Sequence, residues 1–98
     1  MTLRILVRPK AVADLEDIWR FSKSEWGARQ ADLYLESLRS AFARLADTPG
    51  SGAVFEHVRA NYQRLLIGSH AIFYRVSSRQ IDIVRVLHQR RNASRILR

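Results

Sequence analysis

Three histidines, His57, His70 and His88, are the side chains of this chain whose ordinary pKa lies near neutrality. In-line attack of a 2′-hydroxyl on phosphorus needs a general base, a general acid and cations on the phosphoryl oxygens. Glu56, next to His57, is a further base. Arg59, Arg64, Arg75, Arg85, Arg90 and Arg91 offer planar forks for phosphate. The inventory therefore permits a metal-free nuclease. Each residue also has a plainer use. His70 opens a strand just after Gly68-Ser69, where it is placed to bond the turn. His57 and Glu56 sit in a loop with no partner fixed by spacing, and His88, ending a strand beside Arg90 and Arg91, is the best placed of the three.

Other chemistries fail on inventory. The chain has no cysteine, so neither a disulfide framework nor a thiolate metal site is available. No His spacing suits a metal, no glycine-rich loop suits a phosphate, and there is no nucleophile elbow. No cofactor is implied. The carboxylates Asp14, Glu16 and Asp17 cluster on a helix, where helix-start electrostatics accounts for them.

Charge is unevenly placed. Residues 1–58 carry as many acids as cations, whereas residues 59–98 carry nine arginines and one acid, Asp82, so the whole net charge of +8 sits there. Both lysines, Lys10 and Lys23, lie early in the chain. So concentrated a field draws an anionic partner to this end of the molecule, a phosphate backbone or an acidic protein alike.

The elements that must hold these groups follow from hydrophobic period. The 98 residues make one domain, 1–98. Leu3 to Arg8 is a first strand, stopped by Pro9, which suits the first turn of a helix. Val12, Leu15, Ile18, Trp19, Ser22 and Trp26 then fall at helical spacing, with Trp19 and Trp26 assigned to the core. Gly27 breaks that helix, and a second carries Ala31, Tyr34, Leu35, Leu38, Ala41, Phe42 and Leu45 on one stripe. Asp47 to Gly52 is a stop and loop. The period next becomes two, giving strands Tyr62–Ile67, His70–Val76 and Gln80–His88 joined by tight turns. Tyr62 and Tyr74, as strand aromatics, are expected to pack. The fold class is α+β in the order β-α-α-β-β-β, a helical hairpin on one face of a small, mainly antiparallel sheet. No apolar run approaches the ~20 residues that span a bilayer, and the N-terminus does not read as a signal peptide, so no membrane is expected and the compartment reads as cytoplasmic.

The strands leave apolar residues on both faces. Ala71 and Phe73 oppose Ile72, Tyr74 and Val76, while Ile81, Ile83 and Leu87 are expected to oppose Val84 and Val86. The hairpin covers one face. The other holds apolar residues with arginines between them, and either the loop 47–61 and the tail fold over it or a partner does. The expectation taken forward is a partner.

Four stretches carry a family resemblance over nearly the whole chain: Ala11 to Trp19 (AVADLEDIW), Trp26 to Ala31 (WGARQA), His70 to Arg75 (HAIFYR) and Ile83 to Arg90 (IVRVLHQR). They closely resemble the ParE branch of the RelE/ParE toxin superfamily of bacterial type II toxin–antitoxin systems. The resemblance implies the β-α-α-β-β-β fold, a toxin that traps a DNA gyrase–DNA intermediate without being an enzyme, and a ParD-like antitoxin with a ribbon-helix-helix dimer. Operator DNA would be reached only through that antitoxin. Antitoxin binding is assigned to Arg64, Arg75 and Arg85, and target contact to His88, Arg90, Arg91 and Arg95. The superfamily also contains ribosome-dependent mRNA endoribonucleases of RelE type, and in that alternative Arg64, His88 and Arg90 would be catalytic. Two departures weigh against it. No lysine follows Lys23, and the third strand opens His70-Ala71 where nuclease relatives often place an arginine. A toxin-fold protein acting only as a regulatory partner is a third reading.

Overall fold

The computed structural model describes residues 2–55 and 62–97. Strand β1 (Arg4–Val7) runs into helix α1 (Pro9–Trp26), and α2 (Ala28–Asp47) follows after one residue. That residue is Gly27, at φ 91°, a left-handed conformation that costs glycine little. Its N–H donates to the Lys23 carbonyl at 2.9 Å while its own carbonyl accepts from Ala31 N–H at 3.1 Å, so one glycine ends α1 and starts α2. A 3₁₀ turn (Pro49–Ser51) and a two-residue β2 (Ala53–Val54) lead to the three long strands, β3 (Tyr62–Ile67), β4 (His70–Val76) and β5 (Gln80–His88). Their bounds match the period-two reading. The tail adds a short helix, α3 (Ala93–Ile96), that no periodicity announced.

The five strands form one sheet in the order β1-β5-β4-β3-β2. β1 pairs in parallel with β5, Ile5 opposite Ile81, and every other pairing is antiparallel. The helical hairpin packs on one face through Ala11, Ile18, Leu35, Leu38, Ala41, Phe42 and Leu45, which meet Ile72, Tyr74, Ile81, Ile83 and Val86. The α2 stripe is buried as its spacing requires. The α1 stripe is shifted: Ala11, Ile18 and Ser22 are buried, while Val12 is exposed and Trp26, assigned to the core by its spacing, is 65% exposed. Trp26 is the last residue of α1, beyond the reach of the sheet.

Two expectations about the sheet are corrected. A β-bulge interrupts the β4–β5 ladder, so that Phe73 faces Arg85 but Tyr74 faces Ile83, leaving Val84 as the extra residue. The bulge shifts the alternation by one, which puts Val86 with Ile81 and Ile83 on the helical face and Leu87 with Val84 on the other. The apolar residues of the second face are also largely covered within the chain itself. Phe55, Tyr62, Ala71, Phe73, Leu87 and Leu97 form a second buried cluster, with Val84, Ala93 and Ile96 packed against it. The chain's own residues on either side of 56–61, together with α3, seal it. Burying these side chains removes apolar surface from water at about 25 cal/mol per Å², and the short tail achieves this by coiling into one helical turn. Leu66, at the margin, stays exposed.

Tyr74 anchors the loop that leads to β2. The ring is fully buried, its hydroxyl donates to the Pro49 carbonyl at 2.9 Å and accepts from Gly52 N–H at 3.1 Å. Burial raises the pKa of the phenol, against a smaller lowering by the Gly52 hydrogen bond. Tyr74→Phe keeps the packing but strands the Pro49 carbonyl and the Gly52 amide, so it should destabilise the fold by about 1–3 kcal/mol, read from urea unfolding midpoints.

Candidate functional site

The cleft that could accept a ligand lies on the helical side, where α1 and α2 diverge from the end of β5. Its geometry starts with Asp14. β1 ends at Val7 while β5 continues, so beyond Ile83 the outer edge of β5 has no strand beside it. Asp14 on α1 fills that role: one carboxylate oxygen accepts from Val86 N–H at 2.9 Å and from Arg85 Nε at 2.8 Å, the other from an Arg85 terminal nitrogen at 2.8 Å. Both side chains are largely buried, 18% and 12% exposed for Arg85 and Asp14. The hydrogen bonds to Asp14 raise the arginine pKa further, and burial opposes them. Helix-start electrostatics does not apply to Asp14, Glu16 or Asp17, because α1 has no acid in its first turn. The signal that could have found Asp14 is its position between Ala11 and Ile18 on the buried stripe, where a carboxylate requires a partner.

Next along the cleft stand His70 and His88, opposite each other on β4 and β5, with rings 5.4 Å apart and nearly perpendicular. His70 Nδ1 is 2.6 Å from the Tyr34 hydroxyl of α2, which also accepts from Ser69 N–H at 3.2 Å and lies 3.4 Å from the Ile67 carbonyl. The turn that permits this uses Gly68 at φ 53°, where a Cβ would meet the Tyr34 ring at 2.9 Å. The His70 side chain therefore bonds α2 and not the turn itself, which Tyr34 contacts through Ser69 N–H. Burial lowers its pKa most, the neighbouring His88 lowers it further, and Asp14 partly offsets both. His88 Nδ1 accepts from Arg90 N–H at 3.1 Å. Burial raises the Tyr34 pKa, with Ser69 opposing.

Above these groups the cleft opens into a groove of about 720 Å³, floored by Ile18, Ser22 and Val86 and ending at Arg91. Phe21 and Trp26 form its outer lip; they are 59% and 65% exposed and meet edge to face at 6.2 Å. Groove residues Asp14 to Trp26 span about 18 Å of helix at 1.5 Å per residue. Among the described residues no three His or acidic side chains are grouped to hold a metal.

The residues singled out from sequence are scattered. Arg85 is held by Asp14 through two of its nitrogens and is largely buried. Arg64 and Arg75 lie on the sealed face, diagonal neighbours on β3 and β4, stacked over Phe55 at 5.1 Å and Tyr62 at 5.3 Å. Asp82, opposite Arg75, is bound instead to Arg8 at 2.7 Å and to Gln80. Its pKa is lowered: burial works to raise it and is outweighed by those hydrogen bonds and by the charges of Arg8 and Arg75. Arg90, Arg91 and Arg95 are exposed at and beyond the end of β5. Arg64 and His88 therefore lie on opposite faces of the sheet, and the set Arg64, His88 and Arg90 is not assembled. His57, Glu56 and Arg59 lie outside the described residues. Sequence reasoning missed Tyr34 as a partner of His70, and missed Phe21 and Trp26 as a surface. Phe21, off the buried stripe of α1, carried a readable signal.

Solved structures with this arrangement define the class as the RelE/ParE-like fold. The chromosomal ParDE toxin–antitoxin system from P. aeruginosa superposes with a TM-score of 0.77 at 19% identity, covering 89% of this chain and 96% of that one. The RelBE2 toxin–antitoxin complex from Mycobacterium tuberculosis gives 0.65 at 18%, covering 91% and 100%. Sequence takes the assignment further. Toxin ParE1 of Caulobacter vibrioides is 46% identical over 84 residues, 86% of each chain, and Toxin ParE1 of M. tuberculosis 44% over 98 residues, 99% and 100%. The family described as the ParE toxin of type II toxin–antitoxin systems matches residues 5–93. This chain belongs to that ParE toxin family.

Two expectations follow from the site. Removing one partner of a buried pair leaves the other charge uncompensated, so Asp14→Asn should destabilise by about 3–5 kcal/mol, measured by urea denaturation. For His70, a folded pKa below the unfolded value of 6.5 means the unfolded chain binds more protons. Stability should be full above that value and fall as pH drops through it towards the folded pKa. Urea midpoints at neutral and mildly acidic pH should show this loss, and His70→Gln should shrink it.

Proposed function

We propose that this chain is a toxin that poisons DNA gyrase without acting as an enzyme, and that it is neutralised by a ParD-like antitoxin. The observation that carries the inhibited state is the groove rimmed by Phe21 and Trp26. Two large aromatic side chains held in water are a standing cost that an apolar partner segment removes, and the ~18 Å run along α1 suits an amphipathic helix laid against it. Arg91 and His88 at one end favour acidic side chains on that segment. Ordering the segment consumes part of the gain, which suits an antitoxin that folds only on its toxin.

Membership of the ParE family supports the gyrase reading, and the disposition of polar groups agrees with it. Arg85 is bound to Asp14, and Arg64 is separated from His88 and Arg90 by the sheet. Among the described residues the set that the RelE-type alternative assigns, Arg64, His88 and Arg90, is not brought together. The exposed tail residues His88, Arg90, Arg91 and Arg95 are, in this reading, the surface presented to the target.

The test mixes purified toxin, freed of antitoxin, with gyrase and supercoiled plasmid, and separately with translating ribosomes. Cleaved plasmid should accumulate, and mRNA should stay intact. Ribosome-dependent mRNA cuts with intact plasmid would overturn the reading in favour of the nuclease, and inactivity in both with tight antitoxin binding would favour a regulatory partner. Trp26→Ala should weaken antitoxin binding by about 2 kcal/mol or more, measured by calorimetry.

A further inference from the structure

The sealed face of the sheet carries guanidiniums as its outer layer. Arg64 lies over the ring of Phe55 and Arg75 over that of Tyr62, each just above 5 Å from the ring centre. Stacking on rings that are themselves buried holds the planar groups in place while leaving their N–H donors in the guanidinium plane. The two positions are diagonal neighbours on paired strands, so their Cβ atoms are about 7–8 Å apart. Arg95 adds a third cation from α3, whose neighbours Ala93, Ile96 and Leu97 pack on this face. Among the described residues none of the three forms an ion pair. The acid nearest in register, Asp82, is bound to Arg8 and Gln80.

Adjacent like charges repel, so a cluster of guanidiniums with no ion pair among the described residues, offset only in part by Asp82 beside Arg75, is relieved when a polyanion binds it. Two partners have that chemistry, an acidic peptide and a nucleic-acid backbone. The peptide has a better seat elsewhere, because its apolar side chains need a groove and the groove is on the helical side. The arginine face has most of its apolar residues covered by Phe55 and α3, with Leu66 exposed at the margin, so cations are the greater part of what it presents. That is the character of a phosphate-contacting surface.

We infer that Arg64, Arg75 and Arg95 form a contact surface for the phosphate backbone of duplex DNA, used by the toxin itself and not through its antitoxin. This deepens the gyrase reading, on which its cellular setting rests: the target of a gyrase poison is a protein–DNA complex, and the toxin grips both components. Phosphate contacts of this kind carry no base preference.

The test uses the full chain freed of antitoxin and a fluorescein-labelled duplex of arbitrary sequence, followed by anisotropy across a salt series. The variant Arg64→Gln/Arg75→Gln/Arg95→Gln is compared with Arg29→Gln/Arg39→Gln/Arg44→Gln, which removes the same charge from α2. Each lost phosphate contact lowers the slope of log affinity against log salt by about 0.9. The first variant should lose about two to three units of slope and about tenfold or more in affinity at low salt, and the second should stay near wild type. Circular dichroism melts confirm that both fold. No binding by wild type, or equal losses in both variants, overturns the inference, as does tighter binding of single-stranded RNA than of duplex. Loss of antitoxin affinity with DNA affinity unchanged returns Arg64 and Arg75 to the antitoxin and also overturns it. The two readings separate in the gyrase cleavage reaction. Wild-type toxin that binds DNA through this surface but never poisons gyrase sinks the gyrase reading and leaves the DNA surface standing. Full poisoning by a variant that has lost DNA affinity does the reverse.

Discussion

The carboxylate of Asp14 accepts three hydrogen bonds from consecutive residues of β5, and the architecture turns on that tie. β1 is too short to pair with the whole of β5, and an unpaired strand edge is both an unsatisfied row of backbone groups and an invitation to aggregation. A carboxylate from α1 stands where the next strand would be. Because Arg85 and Val86 follow the bulge at Val84, the same contact pins the helix to the point at which β5 changes register. The pair is nearly dry, so its loss exposes one buried charge to an apolar surround, and the cost exceeds what an exposed pair such as Arg20–Asp17 could contribute.

That pinning makes the groove. With α1 held against β5 at Asp14, the helix runs on past the sheet, and its last turns carry Phe21 and Trp26 into solvent. α2 returns from Gly27 and brings Tyr34 down onto the Ser69–His70 turn, closing the far wall. The apolar floor, the histidine pair and Arg91 are then neighbours by construction. On the other side of the sheet, Phe55 and α3 cover the apolar residues that the bulge and alternation leave there, and arginines lie over their rings. One side therefore offers apolar surface in a concavity, the other offers charge on a filled face.

The long elements were legible because period alone specifies them. The strand bounds 62–67, 70–76 and 80–88 follow from alternation and the turns between them, and the α2 stripe from Ala31 to Leu45 is buried as written. Trp26 was not legible, since helical spacing says which face a residue occupies but not where the helix outruns its support. The face of Val86 was not legible either, because an extra residue in a strand leaves no mark in composition yet reverses the alternation beyond it. The role of Arg85 depended on a carboxylate more than seventy residues away, and the tail, polar on average, hid in Ala93, Ile96 and Leu97 enough apolar surface to seal a sheet.

Residue order and side-chain type alone therefore established the element sequence, the helical hairpin on a mainly antiparallel sheet, the family and the concentration of positive charge in the last forty residues. The elements depend on local periodicity and the charge is a sum, both additive along the chain, while the family rests on the resemblance of four stretches of sequence. Which arginines are free, which face is covered and where the ligand-sized groove opens came from the packed fold. Those properties depend on pairings between residues distant in sequence, and such pairings exist only once the bulge, the Asp14 tie and the folded-back tail have set the register in three dimensions.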